Sequence, residues 1–124
     1  MTHINTSLIA RIYSALSDPL RIRILRLLLE RELCVCEIIR VVKQPQYKVS
    51  RHLGVLKRAG LLHDWKDGTW AHYEINPDLP PLWRKALDAM RLTWDEDRLI
   101  QEDLNQLRRS SATRLPGVPI HCKA

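Results

Sequence analysis

Residues 46–75 read QYKVSRHLGVLKRAGLLHDWKDGTWAHYEI. In the first half, Val49, Leu53 and Leu56 recur at i, i+4 and i+7, the apolar stripe of a helix over about 46–59. Gly60 stands where a helix C-terminal glycine belongs. In the second half, over 61–75, Asp67-Gly68 separates two β-prone runs, the signature of a hairpin with a two-residue turn. That turn predicts a register with Trp65 opposite Trp70 and His63 opposite His72. The tryptophans then form a cross-strand aromatic pair. A metal site between His63 and His72 is the alternative use of the same register.

The helix face opposite the apolar stripe carries Tyr47, Arg51, Gly54 and Arg58, flanked by Lys48 and Ser50. A glycine inside a helix costs about 1 kcal/mol relative to alanine. On an outward face it lets the backbone approach something large. Hydroxyls, cations and one missing side chain suit a major groove. Arg51 and Lys48 reach for bases or phosphates, whereas Ser50 and Tyr47 suit phosphate anchoring. Lys66 and Thr69 flank the hairpin tip, where a wing would graze the adjacent backbone. The expected DNA-contacting set is Gln46, Tyr47, Lys48, Ser50, Arg51, His52 and Arg58 with Lys66 and Thr69. A merely solvated basic face, with Gly54 packed on a neighbouring helix, is the alternative.

Upstream, Leu8, Ile12 and Leu16 give a first helix over 7–16. Asp18 suits an N-cap and Pro19 the first position of a second helix, in which Leu20, Ile24, Leu27 and Leu28 form the stripe. Arg21, Arg23 and Arg26 lie off it. A third helix is expected over 33–42, broken by Lys43-Gln44-Pro45. Downstream, 80–109 is helical with a break near Thr93, its apolar positions being Leu82, Ala86, Leu87, Met90, Leu99, Leu104 and Leu107. Four helices, a hairpin and a further helical stretch make a mainly α chain with a β-hairpin, the layout of a winged helix-turn-helix. Residues 1–109 are expected to form one DNA-binding and dimerisation domain, and 110–124, with Pro116, Gly117 and Pro119, a flexible tail.

A net charge of +6 over 124 residues favours an anionic partner, with nucleic acid ahead of membrane. MTHINTSLIARIY has no basic start followed by a long apolar run, and no apolar stretch approaches the ~20 residues that span a bilayer. A cytoplasmic protein is expected. Three cysteines do not make a disulfide framework, which suits a reducing compartment.

Two of those cysteines, Cys34 and Cys36, lie in ELCVCE, residues 32–37. Taken alone the pair fits a redox couple, a metal clamp or two buried side chains. The stretch from about Leu16 to Ile75 resembles the ArsR/SmtB family of bacterial metal-responsive repressors. The matching residues are Ser17-Asp18-Pro19-Leu20-Arg21, ELCVCE, Ser50-Arg51-His52-Leu53 with Leu56, Ala59-Gly60-Leu61-Leu62, Lys66-Asp67-Gly68 and His72-Tyr73. The first and last helices resemble the family's dimerisation helices in pattern only. The resemblance implies a winged-helix homodimer that binds an inverted-repeat operator when apo and releases it when a metal or metalloid binds. It implies arsenite or antimonite as effector, held by Cys34 and Cys36.

Arsenite is satisfied by three thiolates, and soft thiolates select soft ions. The family's arsenite sensors often carry a third cysteine three residues after the second, where this chain has Ile39. Cys122 is the remaining candidate for a third ligand, in cis or from the partner subunit, with an exogenous thiol or hydroxide as the other way to complete the site. Cadmium- or lead-responsive repression is an alternative, although the segment before the first helix offers only His3 in place of cysteines. A thiol-redox-responsive repressor is another. The family's zinc site on the last helix has no histidine here: Asp95, Asp97, Glu102 and Asp103 are expected to be a solvated charged face. An enzyme is not expected, because Cys-x-x-Cys, alternating βαβ order and a base beside the nucleophile are all missing.

Overall fold

In a computed structural model that describes residues 4–111, the chain folds as α1 (Thr6–Ala15), α2 (Pro19–Glu30), β1 (Leu33–Cys34), α3 (Val35–Val42), α4 (Gln46–Arg58), β2 (Leu62–Asp67), β3 (Trp70–Ile75), α5 (Pro81–Trp94) and α6 (Arg98–Ser111). This is a winged helix-turn-helix: α3 and α4 are joined by a short turn, α2 packs on both, and β2–β3 form the wing. Expected tail residues from 112 on lie outside the described residues.

Local chemistry sets the boundaries. Asn5 Oδ1 caps α1 by accepting from Leu8 N–H at 2.9 Å. Asp18 caps α2 through Leu20 and Arg21 N–H at 2.8 and 3.1 Å, with Pro19 at the first helical position. The α4 terminus closes with Gly60 N–H on Lys57 O and Leu61 N–H on Leu56 O, the two bonds of a Schellman motif, and Gly60 supplies the required φ of 86°. The expected break near Thr93 falls at 95–97, where Asp97 accepts from Ile100 N–H and starts α6.

Two expectations need correction. Leu33 and Cys34 are not helical: they form a short strand antiparallel to β3, which widens the hairpin to a sheet of order β1-β3-β2. The wing turn is centred on Gly68-Thr69 rather than Asp67-Gly68, so Trp65 lies opposite His72 and His63 opposite Glu74. Gly68 has φ 64° whereas Thr69 does not take a positive φ, the combination that a type II′ turn needs. Each partner moves by two residues, so every side chain keeps its face of the sheet. Leu62 and Ile75 point to the core, and Trp65 stacks on His72 with centroids 5.4 Å apart.

The core runs through α2, α3, α4 and α6, with Ile24, Leu25, Leu27, Ile38, Leu53 and Leu56 closed to solvent. The arginines of α2 hold it at long range. Arg26 is buried, donates to both oxygens of Asp95 at 2.6 and 3.0 Å and also pairs with Glu30. Arg23 donates to both oxygens of Asp103 at 2.8 and 3.0 Å. Asp95 and Asp103 are therefore not members of a solvated acidic face. They fasten the α5–α6 segment to α2.

Candidate nucleic-acid interface and effector corner

The outward face of α4 follows the expected pattern. Tyr47 is 72% exposed, Gln46, Ser50, Arg51 and Arg58 are exposed and Lys48 is half-buried. Pro45 precedes the helix without a side-chain cap, and no acidic residue occupies the first turn. Its leading N–H groups and positive dipole end thus face solvent. A methyl group placed on Gly54 would approach only the Arg58 guanidinium, at 3.3 Å from Nη1. No neighbouring helix packs there, so this notch in the face is open outward. Lys66 and Thr69 stand exposed at the wing tip.

His52 is placed differently from the other members of the expected set. It is 6% exposed, and its Nδ1 lies 3.0 Å from Arg21 Nη1. Arg21 also donates to the Ala15 and Ser14 carbonyls. His52 therefore locks α4 onto the α1–α2 corner instead of displaying an edge. Burial holds its imidazole below the usual histidine value, with Arg21, Arg51 and Lys48 adding to the effect and Asp18 opposing it.

The cysteines sit at the corner where β1 turns into α3. Cys34 is the N-cap, with φ −74° and ψ 152°, and its sulfur accepts Cys36 N–H at 3.3 Å. Cys34 N–H in turn donates to Glu37 Oε1 at 3.0 Å, closing a capping box with cysteine in the place usually held by serine or threonine. Glu37 is buried and paired with Arg31 at 3.2 Å. The Cys34–Glu37 spacing carried that signal in the sequence. Because Cys34 lies before the helix with extended backbone, the i, i+2 divergence of side chains on a regular helix does not apply to this pair. Cys34 also lies opposite His72 across β1–β3, so one residue touches both the helix and the wing.

A cavity of about 570 Å³ opens between α3, the start of α4 and β3. Cys36, Ile39 and Arg40 line it from α3, Gln46 and Ser50 from α4, and Thr69, Trp70 and Tyr73 from the wing. The structure thus brings Cys36 into one groove with three residues of the expected DNA set. Among the described residues no group of three His, Cys, Asp or Glu is arranged to hold a metal, and His63 and His72 take separate partners, Glu74 and Glu32. Cys122 lies outside the described residues.

Comparison with known proteins fits this geometry. The family described as "Bacterial regulatory protein, arsR family" matches residues 18–64. The chain is 42% identical over 105 residues to an arsenical resistance operon repressor of Escherichia coli, covering 83% of this chain and 87% of the relative. It is 40% identical over 112 residues to an arsenic resistance transcriptional regulator of Pseudomonas putida, covering 90% and 84%. Its fold matches the homodimeric winged helix-turn-helix DNA-binding domain of a possible ArsR-family regulator from Mycobacterium bovis. That match has TM-score 0.60 and 24% identity, and covers 79% of this chain and 97% of that one. With its α4 face, its wing and its cysteine corner, the chain belongs to the arsR family of bacterial regulatory proteins.

Proposed function

We propose that the chain is a cytoplasmic transcriptional repressor that binds an inverted-repeat operator as a homodimer and releases it when arsenite or antimonite binds Cys34 and Cys36. The observation that carries this reading is the shared corner. The thiol that caps α3 sits on the helix that a short turn joins to α4, and it is bridged by β1–β3 to the wing. The similarity to arsenic-resistance regulators over most of the chain supports the choice of effector.

The two thiols suit a soft, thiophilic ion. A sulfur engaged by such an ion is a poorer acceptor for the first N–H groups of α3, and loss of a cap costs a helix about 1 kcal/mol. A coupling of about 1–3 kcal/mol is enough for a usable switch. Fraying at the α3 start would be felt by α4 through 43–45 and by the wing through His72. A divalent cation such as cadmium or lead would displace the thiol protons, so its affinity should rise with pH, whereas arsenite exchanges hydroxide for thiol with loss of water and should show little such dependence.

The test is a mobility-shift titration of the reduced protein on an inverted-repeat operator with arsenite, antimonite, cadmium, lead and zinc. Release by arsenite and antimonite at the lowest concentrations is expected. Release by cadmium or lead alone, or by peroxide and not by arsenite, would replace this effector with one of the other two. Cys34→Ser is informative because serine is itself a good N-cap, so the fold survives while the thiol is lost. This variant and Cys36→Ser are expected to bind operator and to ignore arsenite. Arg51→Ala should weaken operator binding by about 1–3 kcal/mol while the dimer persists; unchanged affinity would remove α4 from the interface.

A further inference from the structure

We propose that α1 shares in the DNA interface: Arg11 and Ser14, together with Arg58 of α4, seat one backbone phosphate at the edge of the major groove that α4 enters. The inference rests on the reading of α4 as the DNA-reading helix. A hollow of about 260 Å³ lies between the two helices, lined by Arg11, Ser14 and Ala15 from α1 and by Val55, Arg58 and Ala59 from α4. Two guanidinium groups therefore share one opening. Among the described residues that line it there is no carboxylate, and neither arginine makes an ion pair. Lys57, the other cation at this end of α4, is committed to Asp64 of β2 at 2.8 Å. Like charges gathered without a counter-charge repel each other, and an anion between them relieves the repulsion. Guanidinium donors match phosphate oxygens in geometry, and the exposed Ser14 adds a hydroxyl.

The hollow belongs to the DNA-facing side of the molecule. Tyr47, Arg51, Gly54 and Arg58 recur at i, i+4, i+7 and i+11 and fall on one stripe of α4. Nη1 of Arg58 lies 3.3 Å from the point that a Gly54 Cβ would occupy, so the guanidinium folds back along this stripe. The N-terminal residues of a recognition helix meet base edges. The far end, where Arg58 stands, is left for the sugar–phosphate rim. On α1, Arg11 and Tyr13 point about 200° apart, so Arg11 faces away from the edge-on contact of Tyr13 with Trp83.

The walls of the hollow are set before any ligand arrives. Arg21 donates to the Ala15 carbonyl at 2.7 Å and to the Ser14 carbonyl at 3.4 Å, while its Nη1 lies 3.0 Å from His52 Nδ1. The last turn of α1 is thereby tied to α4 one turn before Val55. This bridge gives the buried His52 a second use: it holds the α1 side of the phosphate seat in register with the α4 side.

The experiment uses the full-length chain without effector, on operator and on a random duplex of equal length. Operator phosphates are ethylated at random, and the positions whose ethylation blocks binding are mapped. The unaltered chain should be blocked at a rim phosphate of each half-site that no longer matters to the double variant Arg11→Ala, Arg58→Ala, while the other blocking positions persist. The double variant should bind both duplexes about tenfold more weakly at low salt, because a phosphate contact carries no base sequence. Its plot of log affinity against log salt should be shallower by about 0.9, so its deficit should shrink about threefold between about 50 and 200 mM salt. The losses in the two single variants should not be additive, since both arginines serve one phosphate. Arg11→Lys keeps the charge and should keep the salt slope.

An unchanged ethylation map, strictly additive single losses, or a loss confined to operator with an unaltered salt slope would overturn the proposal. So would an Arg11→Ala chain that light scattering shows to be a monomer, which would assign Arg11 to the contact between copies. An unaltered chain that binds neither duplex would instead sink the DNA-binding reading on which the proposal rests.

Discussion

Gly54 separates folding from DNA binding at the scale of one residue. Its added Cβ would meet only the flexible end of Arg58, so Gly54→Ala should fold normally. Removing a mid-helix glycine should stabilise the protein by up to about 1 kcal/mol. If α4 enters a major groove on this face, the same methyl group should lower operator affinity. A thermal melt beside a mobility-shift assay reads the two effects, and an undiminished affinity would place the DNA elsewhere. Asp95 behaves oppositely, because its partner Arg26 is buried. The hydrogen bonds from Arg26 hold the Asp95 carboxyl below its usual value, against a smaller effect of burial. Its contribution is therefore present above the unfolded value of about 3.9 and is lost as pH falls through the lowered folded value. Asp95 is partly open to solvent, which screens the pair. Asp95→Asn should cost about 1–2 kcal/mol at neutral pH, and the gap to the unaltered chain should close in acid. The apolar stripe of α2 was legible in the sequence, yet the roles of Arg23 and Arg26 were not. Periodicity reports which face is apolar, but the carboxylates that bury these arginines lie 80 and 69 residues away.

Among the elements, α4 was read correctly in extent and face because stripe, glycine stop and outward cations agree with one another. The wing was read correctly in its strands and wrongly in its turn. Asp-Gly and Gly-Thr both suit a two-residue loop, and pairing with β1, invisible to local reading, accompanies the register that is found. His52 was misplaced for a related reason. Its neighbours Ser50 and Arg51 point outward, and only the α1–α2 corner reveals that His52 points in. Its buried, neutral ring gives α4 a pH dependence. The unfolded chain binds the proton more readily, so docking of α4 is strongest above the unfolded value of about 6.5 and weakens as pH falls below it. His52→Gln should flatten the thermal stability below about pH 6.5, where the unfolded chain takes up the proton first. A slope that survives the substitution would assign the proton to another group. Gly60 tests the other end of the helix: at φ 86° an alanine is strained, so Gly60→Ala should cost about 1–2 kcal/mol by denaturant titration.

On the scale of the whole molecule, the question is which helices remain for a partner. The sequence assigned dimerisation to the first and last helices and treated 80–109 as one helical stretch with a break. The structure divides that stretch by function. In α6, Ile100, Leu104 and Leu107 are buried, the helix packs on α2 and α3, and Asp103 ties it to Arg23, so its apolar face is committed to the core. The α5 helix buries Trp83 and Leu87 but leaves Leu82 at 67% and Leu92 at 70% exposure. Tyr13 of α1, also exposed, meets Trp83 edge-on at 6.1 Å, which joins the two helices into one apolar margin. Exposed leucines on that scale mark an interaction surface. A dimer that reads an inverted repeat has to set its two α4 helices on successive major grooves, about 34–36 Å apart. Leu82→Glu should therefore yield a folded monomer, with unchanged helical content by circular dichroism and half the mass by light scattering. Its operator affinity should fall by far more than the removal of any single DNA contact, because each half-site would then be bound alone. A Leu82→Glu protein that remains dimeric would move the interface off α5, whereas a monomer with full affinity would show that one copy is enough to hold the operator.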